Sequence, residues 1–165
     1  MNFGVSKKLI ASAFLLFFLS VNSYSQKTTF GMDEKMKSSG APTVAVWNIL
    51  KKYALEFNCG KPQKKWFQIA KINLNNDRRY DLIAYPVENC IQGNNITNFF
   101  VFRGLGNNKF SLVLKVGGNS LSILKKMKNS FNQIEVNSFV GQKILTRRFL
   151  FRKKSYSLSS ESYTD

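Results

Sequence analysis

Oxygen-bearing side chains recur at regular positions in the polar segment from residue 73 to residue 81. Counted from the first of them, positions 1, 3, 5 and 9 are Asn73, Asn75, Asp77 and Asp81. Oxygen atoms are the ligands that hard divalent cations prefer, but Arg78 and Arg79 cancel the charge of the two carboxylates and leave almost no net attraction for such a cation. The alternative is an Asx-rich hairpin turn, in which Asn and Asp side chains bond their own backbone.

Together with its flanking strands, this segment resembles the strand–loop–strand unit D-x-N-x-D-G-x-x-D-L of FG-GAP and VCBS-type repeats. It is also similar to single-copy relatives of that unit in small exported bacterial proteins of unknown role. The likeness covers about residues 66–118 and includes the segments NFFVFR and KFSLVLKVGG. The resemblance implies a calcium loop whose ligands would be Asn73, Asn75, Asp77, Asp81 and the carbonyl of Arg79.

Two departures from the family pattern affect this loop. Position 1 is Asn73 where the pattern has Asp, and position 6 is Arg78 where the pattern has glycine. We therefore expect a metal loop whose ion has been replaced by pairing between Arg and Asp side chains. No cofactor is expected, and calcium is the one metal that the resemblance brings into question.

A second candidate site is basic and lies near the end of the chain. We predict ligand-binding side chains at Arg147, Arg148, Arg152, Lys153 and Lys154, with Lys125, Lys126, Lys128 and Lys143 as further cations nearby. In a strand, Arg147 shares a face with Phe149 and Phe151, while Arg148 and Arg152 share the other face. Arginine beside aromatic surface binds anionic groups or stacks on flat rings. The alternative is a solvated edge strand whose charges prevent edge-to-edge aggregation.

The absence of histidine from the sequence removes several chemistries. The chain has no His, which excludes Ser-His-Asp and Cys-His catalysis and His-based acid–base work. With two cysteines and no histidine, zinc has no adequate ligand set. No Walker or Rossmann glycine pattern occurs. We therefore expect the protein not to be an enzyme, and the remaining catalytic alternative is a hydrolase whose carboxylates come from separate strands.

The first 25 residues have the pattern of a secretory signal. Lys7 and Lys8 precede an apolar run from Leu9 to Val21, and small residues follow at 23–25, which predicts cleavage before Gln26. The apolar run is too short to span a membrane as a helix. Removal of these residues lowers the formal net charge from +16 to +14. We expect an exported protein, periplasmic or extracellular, that associates with acidic partners.

The two cysteines are expected to form a disulfide, because an exported chain meets an oxidising compartment. Cys59 and Cys90 stand at the two ends of the first predicted hairpin. Closing a loop of this length stabilises the fold by roughly 3–4 kcal/mol in the chain-entropy model. Free thiols or a metal pair are the alternatives.

The elements that must position these residues are one helix and a series of strands. Apolar residues recur at helical spacing from about Thr43 to Phe57, and Trp47 lies on the apolar face. From Lys65 the period changes to two, and turn residues divide the rest into short strands. The sequence predicts an α+β domain in which an N-terminal amphipathic helix packs on an antiparallel β-meander of about seven short strands. The predicted divisions are a signal peptide at 1–25, a flexible leader at 26–41, one domain at 42–158 and a polar tail at 159–165.

These features together predict an exported, non-catalytic binding module. Its partner would be an acidic protein or an anionic envelope glycan, held by a basic and aromatic face. No specific nucleic-acid binding is expected, since nothing in the chain matches a nucleic-acid module. The hydrolase and a calcium-stabilised structural domain are the alternatives, and the oligomeric state is left open.

Overall fold

The computed structural model describes residues 28–31, 40–93 and 96–165. These ranges hold one α-helix, one short 3-10 helix and nine strands. In chain order they are β1 (Thr28–Gly31), α1 (Val44–Ala54), the 3-10 turn Lys64–Trp66, β2 (Phe67–Ile72), β3 (Asp81–Pro86), β4 (Thr97–Gly106), β5 (Lys109–Gly118), β6 (Ser120–Lys128), β7 (Phe131–Val140), β8 (Lys143–Arg152) and β9 (Ser155–Thr164). The predicted signal peptide at 1–25 lies outside the described residues.

The strands form two antiparallel sheets that pack face to face. One sheet has the order β2-β3-β4-β5 and the other β1-β6-β7-β8-β9. Apolar side chains from both sheets, among them Tyr85, Phe99, Leu121 and Ile134, make a single buried cluster between them. The predicted antiparallel meander is therefore present, but it is folded into a two-layer sandwich.

The helix covers the outer face of the four-stranded sheet. Thr43 caps it by accepting a hydrogen bond from the backbone N–H of Val46, and Leu50 and Tyr53 bury their side chains against the sheet. Trp47 meets Phe67 edge to face, with ring centroids 6.4 Å apart. The predicted packing of this helix on the sheet is confirmed.

The four-stranded sheet is covered on both faces at β3. All six residues of this strand are buried. Ile83 and Tyr85 point into the core between the sheets, whereas Leu82 and Ala84 point toward the helix. Because successive side chains of a strand alternate between faces, a strand covered on both sides must be apolar at nearly every position.

Three details of the predicted arrangement differ from the structure. The helix ends at Ala54 instead of Phe57, because the backbone N–H groups of Glu56 and Phe57 bond three residues back and tighten the last turn. It also follows β1, so the predicted N-terminal position of the helix is not supported. The described strands number nine rather than about seven.

The predicted leader and tail both contain strands. β1 lies within the segment 26–41, where Phe30 is buried in the core and the four residues pair with β6. The tail at 159–165 continues β9, which pairs with β8 as far as Thr164. Both are edge strands, and their pairing with a neighbour on one side only leaves too few apolar positions for a periodic signal.

The predicted disulfide is confirmed. Cys59 and Cys90 are bonded, with their Cα atoms 5.9 Å apart. The bond joins the segment after α1 to the loop after β3. The helix itself contacts the same loop, because the Tyr53 hydroxyl donates to the carbonyl of Ile91 at 3.1 Å.

Candidate binding site

The loop between β2 and β3 is held by its own Asn and Asp side chains. Asn73 Oδ1 accepts from the backbone N–H groups of Asn75 and Asn76 at 3.1 and 2.7 Å. Asp77 Oδ2 accepts from Asn75 Nδ2 at 2.8 Å and lies 2.9 Å from Nη2 of Arg79. The loop thus contains both the Asx turn and the Arg–Asp pair that its sequence predicts.

The pKa of Asp77 lies below its ordinary value. Partial burial raises this pKa, but hydrogen bonds from Asn75 and Arg79, with the positive charge of Arg79, outweigh the burial. The carboxylate is therefore charged and compensated within the loop.

Asp81 fastens the loop to the neighbouring strand. Its side chain is fully buried, with Oδ2 accepting from the backbone N–H of Leu74 and Oδ1 from that of Gly104, both at 2.8 Å. Gly104 is required here, since a Cβ atom would lie 2.2 Å from the carbonyl oxygen of Tyr80. Burial raises the pKa of Asp81, although its two hydrogen bonds act in the opposite direction.

The four predicted metal ligands do not present a common set of oxygens in this arrangement. Both oxygens of Asp81 face backbone N–H groups, and Asp77 faces Arg79. Within the described ranges no three His, Cys, Asp or Glu side chains are grouped so as to hold a metal ion. As placed, the residues do not fit calcium, and calcium binding stays a prediction.

Four connections between strands meet at one end of the sandwich, which we call the turn end. They are the β2–β3 loop, the β4–β5 turn at 107–108, the β6–β7 turn at 129–130 and the β8–β9 turn at 153–154. Hydrogen bonds link the β2–β3 loop to the β4–β5 turn (Tyr80 hydroxyl to Asn108) and to the β6–β7 hairpin (backbone N–H of Asn132 to the carbonyl of Leu74). A further bond, from Asn129 to the carbonyl of Phe151, links the β6–β7 turn to the β8–β9 hairpin. The four connections therefore form one continuous surface.

The turn end is strongly basic. The cations on its turns and on the adjoining strand ends are Lys71, Arg78, Arg79, Arg103, Lys109, Lys125, Lys126, Lys128, Arg152, Lys153 and Lys154. The carboxylates in the same segments are Asp77, which is paired with Arg79, and Asp81, which is buried. This surface consequently carries a large positive charge that its own acids do not neutralise.

A small concavity of about 250 Å³ on the turn end combines cations with aromatic rings. We call it the aromatic pocket. Arg78 and Lys109 line it beside Tyr80 and Phe110, whose ring centroids are 5.7 Å apart. Arg78 is held in the left-handed backbone region, with φ 64°. A side chain other than Gly, Asn or Asp rarely adopts that conformation, and such strain is typical of functional sites.

A larger cleft of about 710 Å³ opens on the other side of the β2–β3 loop. It lies between the end of β2 and strand β6. Asn73 and Asn76 of the loop line one side of it, while Lys125 and Met127 of β6 line the other. The loop therefore separates two concavities of different chemistry.

The predicted ligand-binding residues divide into two groups. Arg152, Lys153 and Lys154 are exposed on the turn end. Arg147 and Arg148 lie farther along β8 and point to opposite faces of the sheet. Arg147 donates to the carbonyl of Gly117 and to Ser138 Oγ, and Arg148 pairs with Glu135 at 3.1 Å. The structure thus brings three of the five residues to one surface.

Sequence reasoning missed Arg78, Lys109 and Phe110 as parts of a candidate site. A usable signal was present in the order of the strands. Strands that follow one another as antiparallel hairpins place alternate connections at the same end of a sheet. Counting connections along the chain would have grouped the basic turn at 153–154 with the arginines of the β2–β3 loop.

The carboxylates that the hydrolase alternative would need lie on different elements. Asp77 is in the β2–β3 loop, Glu88 in the loop after β3, and Glu135 on β7 in the other sheet. Asp81 has both oxygens bonded to backbone N–H groups. The hydrolase hypothesis stays a prediction, and nothing in the described geometry favours it.

Within the described residues, no helix combines the length and the apolar character needed to cross a membrane. Comparison of the chain with protein-family models, with curated proteins and with solved structures finds no match.

Proposed function

We propose that this protein is an exported, non-catalytic binding module that holds an acidic macromolecule at its turn end. The observation that carries the proposal is the convergence of basic residues from four separate connections on one end of the sandwich. The predicted signal peptide and the Cys59–Cys90 disulfide support the exported location.

The charge distribution explains how such a surface would work. Cations gathered on one surface raise the local concentration of an acidic partner and orient its approach. Each exposed ion pair adds at most about 1 kcal/mol, so useful affinity requires several contacts at once. An acidic macromolecule supplies many charges in one chain, whereas a small anion supplies one or two. Both an acidic protein and an anionic glycan meet this requirement.

Neutralisation of matched lysine sets tests whether the turn end is the binding surface. The test variant K109Q/K128Q/K154Q removes three exposed charges from the turn end, and the control K61Q/K64Q/K65Q removes three exposed charges ahead of β2 at the opposite end. The probes are polyglutamate and polygalacturonate, with Kd measured by titration calorimetry at several salt concentrations.

We expect the turn-end variant to bind roughly tenfold more weakly and with a smaller salt dependence, which corresponds to about 0.5 kcal/mol for each lost contact. The control should bind within about twofold of the wild type. Equal losses in both variants would show that only net charge matters. If neither polyanion bound the wild type in low salt, the proposed function would be wrong.

A further inference from the structure

We propose that the turn end docks on an anionic lipid bilayer. Its cations would face the lipid phosphates, and the side chains of Tyr80, Leu105 and Met127 would insert among the lipids. This inference goes beyond the proposed function, because it gives the same surface a partner that is neither a protein nor a glycan. It rests on the exposed apolar side chains of the turn end, which the proposed function leaves unused.

Three large apolar or aromatic side chains are exposed on the turn end, and each belongs to a different connection. Tyr80 lies in the β2–β3 loop and is 40% exposed, Leu105 precedes the β4–β5 turn and is 47% exposed, and Met127 precedes the β6–β7 turn and is 44% exposed. A single exposed apolar residue is common on any protein surface. Three of them on linked connections, each beside cations, favour a surface that meets an apolar phase.

An irregularity in β4 exposes Leu105. The register of β4 against β5 shifts between Gly104 and Gly106, so Leu105 is an extra residue in the strand. Such a bulge changes the direction in which a side chain points, and bulges are over-represented next to functional sites. The carbonyl of Leu105 also accepts from Nη1 of Arg79 at 3.5 Å, which joins this residue to the β2–β3 loop.

Strand β6 has a similar irregularity at the same end. Its register against β7 shifts between Leu124 and Met127, and the two residues in the irregular segment are lysines. Asn76 Nδ2 of the β2–β3 loop lies 3.9 Å from the sulfur atom of Met127. Both irregular segments therefore place an exposed apolar side chain against the same loop.

Most of the cations around these side chains are available to a partner. Within the described residues, seven exposed ones have side chains without a hydrogen bond or an ion pair, namely Arg78, Lys109, Lys126, Lys128, Arg152, Lys153 and Lys154. A bilayer that contains anionic lipids has a negative surface potential, which attracts Lys and Arg side chains and decays within a Debye length. The turn end can bring all of these charges to such a surface at once.

The combination of charge and apolar side chains distinguishes a bilayer from the other acidic partners. A soluble polyanion supplies charges but no apolar phase for Leu105 and Met127. In an interface between proteins, the apolar residues form a central patch with a polar rim. Here they lie on three connections with cations beside each. A bilayer accepts apolar side chains that are dispersed in this way, because its acyl layer lies beneath every headgroup.

The position of Tyr80 suits the headgroup layer. Its ring lies beside that of Phe110, with the centroids 5.7 Å apart, and its hydroxyl donates to Oδ1 of Asn108 at 3.3 Å. Tyrosine is enriched at the boundary between membrane and water, because its ring is apolar and its hydroxyl is polar. Tyr80 would therefore lie at the level of the headgroups, and the aliphatic side chains of Leu105 and Met127 would reach deeper.

Docking by the turn end fixes the orientation of the domain. The four connections lie at one end of the strands, so the end that carries the disulfide points away from the bilayer. Phe139 and Val140 lie at that opposite end and are 65% and 48% exposed. These two residues would stay in water, and they provide a matched control.

Two double variants test whether apolar side chains insert. L105Q/M127Q changes the turn end, and F139Q/V140Q changes two exposed apolar residues at the opposite end. Neither variant alters the net charge. Each protein is titrated with vesicles of phosphatidylglycerol and phosphatidylcholine in equal parts, with vesicles of phosphatidylcholine alone and with polyglutamate, after thermal melts confirm that it is folded. Vesicle flotation and calorimetry give the Kd.

We expect the wild type to bind the mixed vesicles at least about tenfold more tightly than vesicles of phosphatidylcholine alone. L105Q/M127Q should weaken binding to the mixed vesicles about tenfold, because two apolar side chains no longer leave water. The same variant should bind polyglutamate within about twofold of the wild type, since its charges are unchanged. F139Q/V140Q should bind both partners within about twofold of the wild type.

A fluorescence measurement reports insertion directly. L105W and F139W are each mixed with vesicles whose phosphatidylcholine is brominated on the acyl chains, which quenches tryptophan at that depth. The native Trp47 and Trp66 lie on α1 and in the 3-10 turn, and Trp47 packs on Phe67 at the start of β2, away from the turn end. We expect quenching of L105W, with F139W no more quenched than the wild type.

The outcomes separate this inference from the proposed function. If polyglutamate or polygalacturonate binds and the mixed vesicles do not, the inference is wrong and the proposed function stands. If L105Q/M127Q binds the mixed vesicles as well as F139Q/V140Q does and L105W is not quenched, the protein adsorbs through charge alone and the inference is again wrong. Binding of the vesicles without binding of either soluble polyanion would support the inference and overturn the proposed function.

Discussion

Asp77 in the β2–β3 loop and Asp81 at the start of β3 lie four residues apart, yet their surroundings shift their pKa values in opposite directions. Burial raises the pKa of Asp81, whereas at Asp77 the raising effect of burial is outweighed by the combined hydrogen bonds from Asn75 and Arg79 and the charge of Arg79, which lower its pKa. Asp81 organises the backbone beneath the turn end, and Asp77 compensates one of its arginines. The same residue type thus serves two purposes.

Replacement of Asp81 by Asn should destabilise the protein by about 1–3 kcal/mol at neutral pH. The amide has one acceptor oxygen, so one of the N–H groups of Leu74 and Gly104 loses its partner inside the protein. Urea unfolding of wild type and D81N measures the difference. An unchanged free energy of unfolding would contradict the assigned hydrogen bonds.

The pH dependence of that difference has a definite sign. Because the folded-state pKa of Asp81 is raised, the folded protein binds more protons than the unfolded chain above pH of about 3.9. The contribution of Asp81 to the free energy of unfolding is therefore fully present below that pH, and it is lost as the pH rises through the folded-state pKa. For D77N the sign reverses, since the contribution of Asp77 is present above its ordinary pKa and is lost as the pH falls. Unfolding of both variants between pH 3 and pH 7 provides the measurement and its control.

Arg78 should be a site where stability and binding oppose each other. The left-handed conformation costs an ordinary residue roughly 1–2 kcal/mol, and glycine escapes that cost but loses about 0.5–1 kcal/mol in chain entropy. We expect R78G to raise the free energy of unfolding by about 0.5 kcal/mol and to weaken polyanion binding severalfold. Unfolding and calorimetry on the same samples test both effects, and R78K, which keeps the strain and the charge, is the control. A less stable R78G would show that the backbone there is not strained.

At the scale of elements, α1 and the disulfide act on the same part of the fold. The helix buries Leu50 and Tyr53 against the four-stranded sheet, and Asn98 Nδ2 donates to the Tyr53 hydroxyl at 3.0 Å. The bond between Cys59 and Cys90 fixes the chain just after the helix to the loop after β3. Side-chain packing and a covalent bond therefore both hold the helix against the four-stranded sheet.

Replacement of both cysteines by serine should lower the free energy of unfolding by about 3–4 kcal/mol, because a separation of 31 residues sets the size of the closed loop. The turn end lies at the other end of the strands, so polyanion affinity should stay within about twofold where the variant is folded. Urea unfolding and calorimetry give the two values. A large loss of affinity in the folded variant would mean that the disulfide also shapes the binding surface.

Strong local patterns decided which elements could be predicted. The apolar period of α1 and the alternating strands from β2 to β8 were identified because each has several buried positions. β1 was missed, since four residues with one buried side chain leave no period to detect. The division into two sheets was also not predicted. The chain passes from β5 in one sheet to β6 in the other through Gly118 and Asn119, without a long linker that would mark the change.

The candidate site could be predicted only in part from the sequence. The charges, the Asx turn and the Arg–Asp pair of the loop are local and were identified. Lys109, Lys128 and Lys154 lie at the same end of the sandwich as this loop. Which strand ends share that position follows from the topology of the sheets, which the local sequence does not show. The cleft depends in addition on the distance between the two sheets at their edge, which no local pattern encodes.

For the molecule as a whole, the proposed binding surface and the disulfide lie at opposite ends of the strands. One end carries the disulfide and the end of α1, and the other gathers the four basic connections. Variation in the turns can therefore change the ligand without disturbing the apolar core between the sheets.

We expect β1 to pair with its neighbouring strand later in folding than the other strands do. Every other pair of neighbouring strands is consecutive along the chain, whereas β1 must wait for β6, more than 80 residues later. As a four-residue edge strand it is also among the first elements expected to open in the folded protein. Thr28 of β1 lines the cleft, so the cleft gains its last wall when folding is nearly complete and loses it whenever this edge opens.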